Sequence, residues 1–304
     1  MRYLLIIISI LLFSCTGNSD NTKSVNTENT KTTPIITEDY QLYPAQDQKA
    51  VLVVFPCFPC DAQNTFDEFN IVDISIKNDI SVLLMNYNMH LYMSTQEKTD
   101  VANLISEALN VNNISAENLY VGGFSGGGNV ALLVSNYLVE SQNPMQPKGV
   151  FIVDAPIDLV QLYEVAQSNI SENFSAVSIQ EASWIIDQFD SEFGSPDSFM
   201  NNYILNSPYI TSIHSLHNIS AIKDLKLRFY TEPDTTWWWE NRHVKPNQMN
   251  AYAIENLASD LKQNEAKNVE YIPTQNKGYR TNGDRHPHSW SIVDKENLMK
   301  WILD

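Results

Sequence analysis

Short, mainly apolar runs alternate along the chain with longer segments in which apolar residues recur at helical spacing. Such runs are typical of strands that are buried on both faces of a sheet. They occur at 50–55, 80–85, 118–122, 149–153, 225–230 and 269–273. Helical spacing is found at 95–109, 129–138, 250–261 and 297–303. This alternation predicts βαβ units, and therefore an α/β fold with a mostly parallel, doubly wound sheet.

The pattern breaks between residues 154 and 223, where Asn and Ser are frequent and no strand-like run occurs. Helical spacing is present there at about 159–166 and 182–189. An insertion of this length within an α/β chain is more often a lid or cap than a plain loop. We therefore predict a helical lid insertion at about 156–223.

The N-terminus is predicted to be a targeting segment rather than part of the fold. After Arg2, residues 3–13 are almost wholly apolar, which suits the core of a secretory signal and is too short to span a bilayer comfortably. The run ends in the sequence LFSC, closing at Cys15, and this ending resembles the lipobox of bacterial lipoproteins. The resemblance implies a signal peptide over 1–14, a lipid on Cys15 and an exported protein anchored to a bacterial membrane.

The segment that follows is polar and is predicted to be a tether. Residues 16–37 are rich in Asn, Thr, Ser and Lys and contain few large apolar side chains. Such a composition cannot bury enough surface to fold on its own. We therefore assign 15–39 to the lipidated cysteine and its tether, and 40–304 to one α/β domain with an insertion.

The charge balance excludes one class of partner. The formal net charge is −17, and the acidic residues are spread along the chain rather than gathered in blocks. Nucleic-acid binding needs clustered Lys and Arg, so no nucleic-acid partner is expected. The same balance argues against an electrostatic membrane patch, so membrane contact is expected only through the lipid anchor.

The sequence Gly-Phe-Ser-Gly-Gly at 123–127 matches the G-x-S-x-G pattern of a nucleophile elbow. It lies between a predicted strand and a predicted helix, so Ser125 must lie on a very tight turn. The flanking glycines allow strained dihedrals and a close approach of the two elements. This turn would lift the Ser125 hydroxyl out of the sheet at the positive end of the helix.

A serine hydroxyl is a weak nucleophile at neutral pH, so it needs a base, an acid that orients the base, and donors for the oxyanion. His286 and His288 lie between the last predicted strand and the final helix. His288 is preferred because it is nearer the helix and because Pro287 restricts His286 to an extended conformation. The carboxylates that follow predicted strands and precede these histidines are Asp154, Glu232 and Asp234.

The oxyanion donors are expected from two backbone amides. One is the N–H of Gly126, directly after the nucleophile. The other is expected in the loop that follows the first predicted strand, where Pro56 and Pro59 have no N–H to donate. By position, Phe58 is the preferred donor in that loop.

Two cysteines in the same loop form a C-x-x-C sequence, Cys57 and Cys60. In an exported protein they can form a disulfide, which would stiffen the loop. The cysteine and histidine spacings do not suggest zinc, and no metal or organic cofactor is expected.

Aromatic residues near the candidate carboxylates and base suggest a pocket wall. Residues 237–239 are three consecutive tryptophans, which cannot all be buried in the core from one element. Trp237 and Trp238 are assigned to a substrate pocket, and Trp290 is added because it lies close to His288. Plain packing against the lid is the alternative role.

The elbow, the order of the strands and the order serine–carboxylate–histidine resemble the α/β-hydrolase-fold esterases and lipases, over roughly residues 41–304. In related hydrolases the acid follows its strand by a short turn, which implies Asp234, with Glu232 second and Asp154 third. The resemblance implies a serine hydrolase that cleaves a carboxylic ester of a small or acylated substrate through an acyl-enzyme. Amide or peptide cleavage is the second choice. Many relatives have His-Gly where this chain has Pro56-Cys57.

Two other functions remain open from the sequence. The run at 51–55 leading into Cys57 and Cys60 also resembles a thioredoxin-like strand, which would imply thiol–disulfide exchange. A thioredoxin domain is far shorter than this chain and would leave the elbow unexplained. The third possibility is a hydrolase fold without catalysis, acting as an anchored binding protein, and it rests on the altered oxyanion loop.

Overall fold

A computed structural model describes residues 33–304 of the chain. The predicted signal peptide, Cys15 and most of the predicted tether lie outside the described residues. Within the described part, none of the helices is both long enough and apolar enough to cross a membrane.

A single sheet forms the centre of the fold, and its strands run in the order β1-β2-β4-β3-β5-β6-β7-β8. The strands are β1 (Ile35–Ile36), β2 (Tyr40–Tyr43), β3 (Ala50–Phe55), β4 (Ile80–Met85), β5 (Leu119–Phe124), β6 (Pro147–Val153), β7 (Lys226–Thr231) and β8 (Val269–Pro273). The two N-terminal strands pair antiparallel, and all pairings among β3 to β8 are parallel. The predicted mostly parallel, doubly wound sheet is confirmed.

Ten α-helices within the described residues connect and cover these strands. They are α1 (Ala62–Phe69), α2 (Val72–Lys77), α3 (Thr95–Val111), α4 (Gly126–Glu140), α5 (Leu159–Glu172), α6 (Ala176–Glu192), α7 (Pro196–Asn206), α8 (Thr235–Arg242), α9 (Asn250–Gln263) and α10 (Lys295–Leu303). Helices α3, α4 and α9 bury apolar side chains against one face of the sheet, and α1, α2 and α10 bury theirs against the other.

Strand β3 illustrates why the sequences of the central strands are continuous apolar runs. Val51, Val53 and Phe55 belong to the apolar cluster on one face of the sheet. Leu52 and Val54, which alternate with them, belong to the cluster on the other face. Because successive side chains point to opposite faces and both faces are covered, every position of the strand has to be apolar.

Several short elements were not predicted. Strand β1 lies within 15–39, the segment predicted to be a tether, and forms one edge of the sheet, where β2 joins it to β4. A strand of two residues is too short to show a period. Helices α1 and α2 are also short, with eight and six residues, and a helical period cannot be told from other patterns over so few positions.

The segment predicted as a lid insertion contains α5, α6 and α7, between β6 and β7. These helices share an apolar cluster that is separate from the two clusters on the sheet, with Tyr163, Phe189 and Tyr203 among its buried members. Leu91, from the loop after β4, joins this cluster. The insertion therefore packs as a helical layer with its own core.

Candidate active site

Ser125 occupies a strained turn between the end of β5 and the start of α4. Its backbone has φ 55° and ψ −128°, a region that residues with a side chain rarely adopt. Holding a residue in such a region costs about 1–3 kcal/mol and requires support from its surroundings. The Ser125 amide donates to the carbonyl of Val153 at 2.9 Å, and its carbonyl accepts from the amide of Gly128 at 2.9 Å. The hydroxyl does not cap the helix and faces a cleft.

Two glycines make this turn possible because backbone atoms pass very close to them. A Cβ on Gly123 would lie 2.0 Å from the carbonyl oxygen of Gly127. A Cβ on Gly127 would lie 2.2 Å from the carbonyl oxygen of Pro56, in the loop after β3. The strand, the helix and this loop therefore meet at distances that only glycine permits.

His288 is held by a buried carboxylate. Its Nδ1 lies 2.6 Å from Oδ2 of Asp154, which is 5 % exposed and directly follows β6. The Asp154 amide donates to the carbonyl of Tyr230 at 2.9 Å, and its carbonyl accepts from Asn250 Nδ2 at 2.9 Å. The His288 ring also packs on Phe124, with 4.4 Å between centroids. These contacts fix the imidazole and leave Nε2 as the nitrogen available for proton transfer.

The structure corrects the expectation that Asp234 orients the histidine. Asp234 accepts from the amide of Trp237 at 3.0 Å, which caps α8, and from Arg285 Nη2 at 2.7 Å. Glu232, the second choice, is also paired with Arg285, at 2.5 Å, and accepts from the amide of Gly278 at 2.9 Å. Both carboxylates neutralise Arg285 and hold the loop that carries the histidines, so Asp154, the third choice, is the one at His288.

The loop expected to supply an oxyanion donor lies beside the elbow. A Cβ on Gly126 would lie 3.4 Å from Cβ of Phe58, so the two residues adjoin. Gly126 is the first residue of α4, where an amide has no acceptor within the helix. A disulfide joins Cys57 and Cys60, and the Cys60 amide donates to the Cys57 carbonyl at 2.7 Å, closing the turn around Phe58. The oxyanion role of the two amides stays a prediction.

The tryptophans predicted to line a pocket have three different surroundings. Trp238 lines the cleft. Trp237 packs edge to face on Trp238 at 5.2 Å and lies 4.7 Å from the His286 ring. Trp290 is 2 % exposed and stacks on Phe69 at 4.0 Å within the core, so its assignment to the pocket is corrected. Its position next to the histidine loop in sequence did not reveal that its side chain turns inward.

The cleft that contains Ser125 and His288 has a volume of about 350 Å³. Part of its lining comes from α5 and α6 of the insertion, including Trp184, whose ring lies 4.8 Å from that of Phe58. Trp184 was not predicted to line a pocket, because its spacing on α6 is that of an ordinary packing residue. Among residues 33–304, the His, Cys, Asp and Glu side chains form no group suited to hold a metal ion.

His286 lines the same cleft but takes a different role from His288. Burial, followed by the charges of Arg280, His288 and Arg242, lowers the pKa of its imidazole to about 4. Its Nδ1 is buried without a hydrogen-bond partner, and the carboxylate of Asp154 is bonded to His288 instead. His286 is therefore neutral at neutral pH and lacks the orienting acid that a general base requires.

The sequence matches no protein-family model and no curated protein. Solved structures are similar in fold. Carboxyl esterase 2 from Tuber melanosporum has a TM-score of 0.55 at 13% identity, over 91% of this chain and 87% of that one. MPT51 (FbpC1) from Mycobacterium tuberculosis has a TM-score of 0.54 at 12% identity, over 86% and 92%. The esterase from Pyrobaculum calidifontis has a TM-score of 0.54 at 14% identity, over 87% and 80%. The chain has the α/β-hydrolase fold.

The two aspartates provide a matched test of the orienting acid. Asp154→Asn should lower kcat for an ester by a factor on the order of 10⁴, because the amide no longer stabilises the required tautomer or the imidazolium. Asp234→Asn should leave kcat within a few fold and instead lower the free energy of unfolding, because it weakens the α8 cap and the Arg285 ion pair. Steady-state kinetics and urea unfolding of both variants measure this. The opposite ranking in kcat would restore Asp234 as the acid.

The lowered pKa of His286 predicts a pH dependence of stability. The pKa in the folded state is about 4, below the value of about 6.5 in an unfolded chain. Between these values the unfolded state binds more protons, so the contribution of His286 is complete above pH 6.5 and is lost as the pH falls towards 4. The free energy of unfolding of the wild type minus that of His286→Asn, from urea unfolding, should decrease over this range. Parallel pH profiles for the two proteins would contradict the assignment.

Proposed function

We propose that this protein is a serine hydrolase that cleaves carboxylic esters through an acyl-enzyme. The proposal depends on the observation that Ser125 and His288 line the same cleft. Ser125 lies there on a strained elbow with its hydroxyl free of a capping bond. His288 lies there with its Nδ1 bonded to a buried carboxylate.

In the proposed reaction, the Ser125 oxygen attacks the acyl carbonyl while Nε2 of His288 accepts the hydroxyl proton. Asp154 keeps the imidazole in the required tautomer and stabilises the imidazolium that forms. The amides of Gly126 and Phe58 donate to the oxyanion of the tetrahedral intermediate. His288 then protonates the departing alcohol, leaving an acyl group on Ser125. A water, deprotonated by the same histidine, releases the carboxylic acid and restores the serine.

Esters are preferred over amides for this proposal. Two of the proteins with a similar fold are esterases. An ester also needs less help with its leaving group than an amide. Amide and peptide cleavage therefore remain the second choice for the same machinery.

The thioredoxin-like alternative is not supported by the fold. Cys57 and Cys60 lie in the loop between β3 and α1 of an eight-stranded hydrolase sheet. Their disulfide closes a turn beside the elbow, where it can stiffen the loop that presents Phe58. A binding protein without catalysis is retained as an outcome of the test below.

The chemical test uses the serine itself. A fluorophosphonate probe should label the wild-type protein at Ser125, identified by mapping the labelled peptide, and 4-nitrophenyl acetate should be hydrolysed. Ser125→Ala should lose labelling and at least about 10³-fold in kcat, because the nucleophile is removed. Ser106→Ala, a serine on α3 outside the cleft, is the control and should retain both.

Other results of this experiment would refute the assignment of Ser125 or favour one of the two alternative functions. Labelling at another residue, or full activity in Ser125→Ala, would refute the assignment. Loss of disulfide-reductase activity in Cys57→Ser/Cys60→Ser would favour the redox alternative. Absence of labelling and of turnover across esters and amides would favour the binding protein.

We also propose that the protein is exported and attached to a bacterial membrane by a lipid on Cys15. The support is the apolar run that ends in LFSC, together with the Cys57–Cys60 disulfide, which is typical of proteins outside the cytosol.

Metabolic labelling with a palmitate analogue tests the anchor. The wild type should incorporate the label and sediment with membranes, whereas Cys15→Ser should do neither because the acceptor thiol is gone. Cys57→Ser/Cys60→Ser should be labelled like the wild type. Unlabelled wild-type protein in the soluble fraction would contradict the anchor.

A further inference from the structure

Two arginines face the cleft without a carboxylate partner. Arg242 is the last residue of α8, and Arg280 lies in the loop after β8 that also carries the two histidines. Both line the cleft of Ser125 and His288. In the described part of the chain the other arginines are ion-paired: Arg228 with Glu270 at 2.7 Å, and Arg285 with both Glu232 and Asp234. Neither cleft arginine forms such a pair among residues 33–304.

Arg280 is half-buried and has no carboxylate paired with it among the described residues, which is unusual for a charged side chain. Burial lowers the pKa of the guanidinium, while the charge of Glu68 acts in the opposite direction. Glu68 itself accepts hydrogen bonds from the amide of Thr281 at 3.2 Å and from its hydroxyl at 2.8 Å. Charged groups withdrawn from water are normally paired. A half-buried guanidinium that faces a cleft is therefore suited to an anion from outside.

Arg280 and Arg242 share the cleft lining with His286. The charges of both arginines lower the pKa of this imidazole, so both guanidinium groups act on the same neutral ring. Two acidic residues also line the cleft, Asp158 and Glu181. Asp158 accepts from the amides of Gln161 at 3.0 Å and Thr211 at 2.8 Å, and Glu181 is exposed on α6. Neither of them pairs with the arginines.

We propose that the cleft binds ester substrates that carry a free carboxylate, which Arg280 and Arg242 hold while Ser125 attacks the ester carbonyl. The catalytic half of this inference rests on the proposed function. Guanidinium groups match a carboxylate with parallel hydrogen bonds. The carboxylates already present in the cleft favour a monoanion over a doubly charged phosphate. Because the whole protein carries a net charge of −17, an anionic substrate needs such a local site to overcome general repulsion.

Pairs of anionic and neutral esters measure whether the anionic ester is preferred. They also show on which side of the ester bond the charge has to lie. Mono-(4-nitrophenyl) esters of succinate, glutarate and adipate place the charge on the acyl side at three lengths, with 4-nitrophenyl pentanoate as the neutral partner. Acetylated 4-hydroxybenzoate places the charge on the alcohol side, with its methyl ester as the neutral partner. In at least one series the anionic substrate should have the higher kcat/KM, and added salt should reduce the advantage.

Variants assign that preference to the arginines. Arg280→Gln should lower kcat/KM for the preferred anionic ester by about 10- to 100-fold and change the value for its neutral partner by less than about threefold. Arg242→Gln should act in the same direction, and Arg280→Lys should recover part of the loss. Lys245→Gln is the charge-matched control, because Lys245 is exposed and paired with Glu172. It should leave the ratio of the two substrates unchanged.

A binding measurement separates this inference from the proposed chemistry. Ser125→Ala should bind monomethyl glutarate more tightly than methyl pentanoate. The change in total tryptophan fluorescence measures binding, because Trp184 and Trp238 line the cleft. Adding Arg280→Gln should remove the difference. Equal affinity for the two esters, together with equal kcat/KM in every substrate pair, would overturn the anion site even if Ser125 is the nucleophile. Selective binding without turnover or labelling would overturn the hydrolase and retain the anion site.

Discussion

The close approach of β5, α4 and the loop after β3 at Ser125 is the constraint on which the site depends. The backbone of Ser125 is held at φ 55°, and Gly123 and Gly127 pass within distances that exclude a side chain. The same contact places the carbonyl of Pro56 against α4. One tight turn therefore exposes the serine and also fixes where the loop of Phe58 lies, so any residue larger than glycine at these positions would disturb both.

The parallel sheet converts this turn into a site by placing the ends of neighbouring strands side by side. Phe124 of β5 is in register with Val153 of β6, so Ser125 and Asp154, which follow them, leave the sheet at the same edge. The two carboxylates that follow β7, Glu232 and Asp234, are both ion-paired with Arg285 and do not bond to His288. This ion-paired cluster stabilises the loop of His286 and His288 and leaves Asp154 to orient the histidine.

The insertion and the histidine loop together give the cleft its chemical character. Helices α5 and α6 supply much of the apolar lining, and Arg242, Arg280 and the neutral His286 line the same cleft. An ester at Ser125 would thus share the cleft with apolar side chains and with two guanidinium groups. Such an arrangement suits a substrate with both an apolar part and a carboxylate, which connects the proposed catalysis with the proposed specificity.

The sequence by itself determined the features that depend on residues close to one another along the chain. Apolar runs gave the central strands, the glycines around Ser125 gave the elbow, and the position of His288 before the last helix gave the candidate base. Only the tertiary structure decided which carboxylate meets that base, that Trp290 is buried, and that two arginines share the cleft with the serine. These features depend on strand register and on ion pairs between distant segments, such as Arg285 with Asp234. Local composition and spacing do not predict such ion pairs, because each charged residue could pair with any of several residues far away in the sequence.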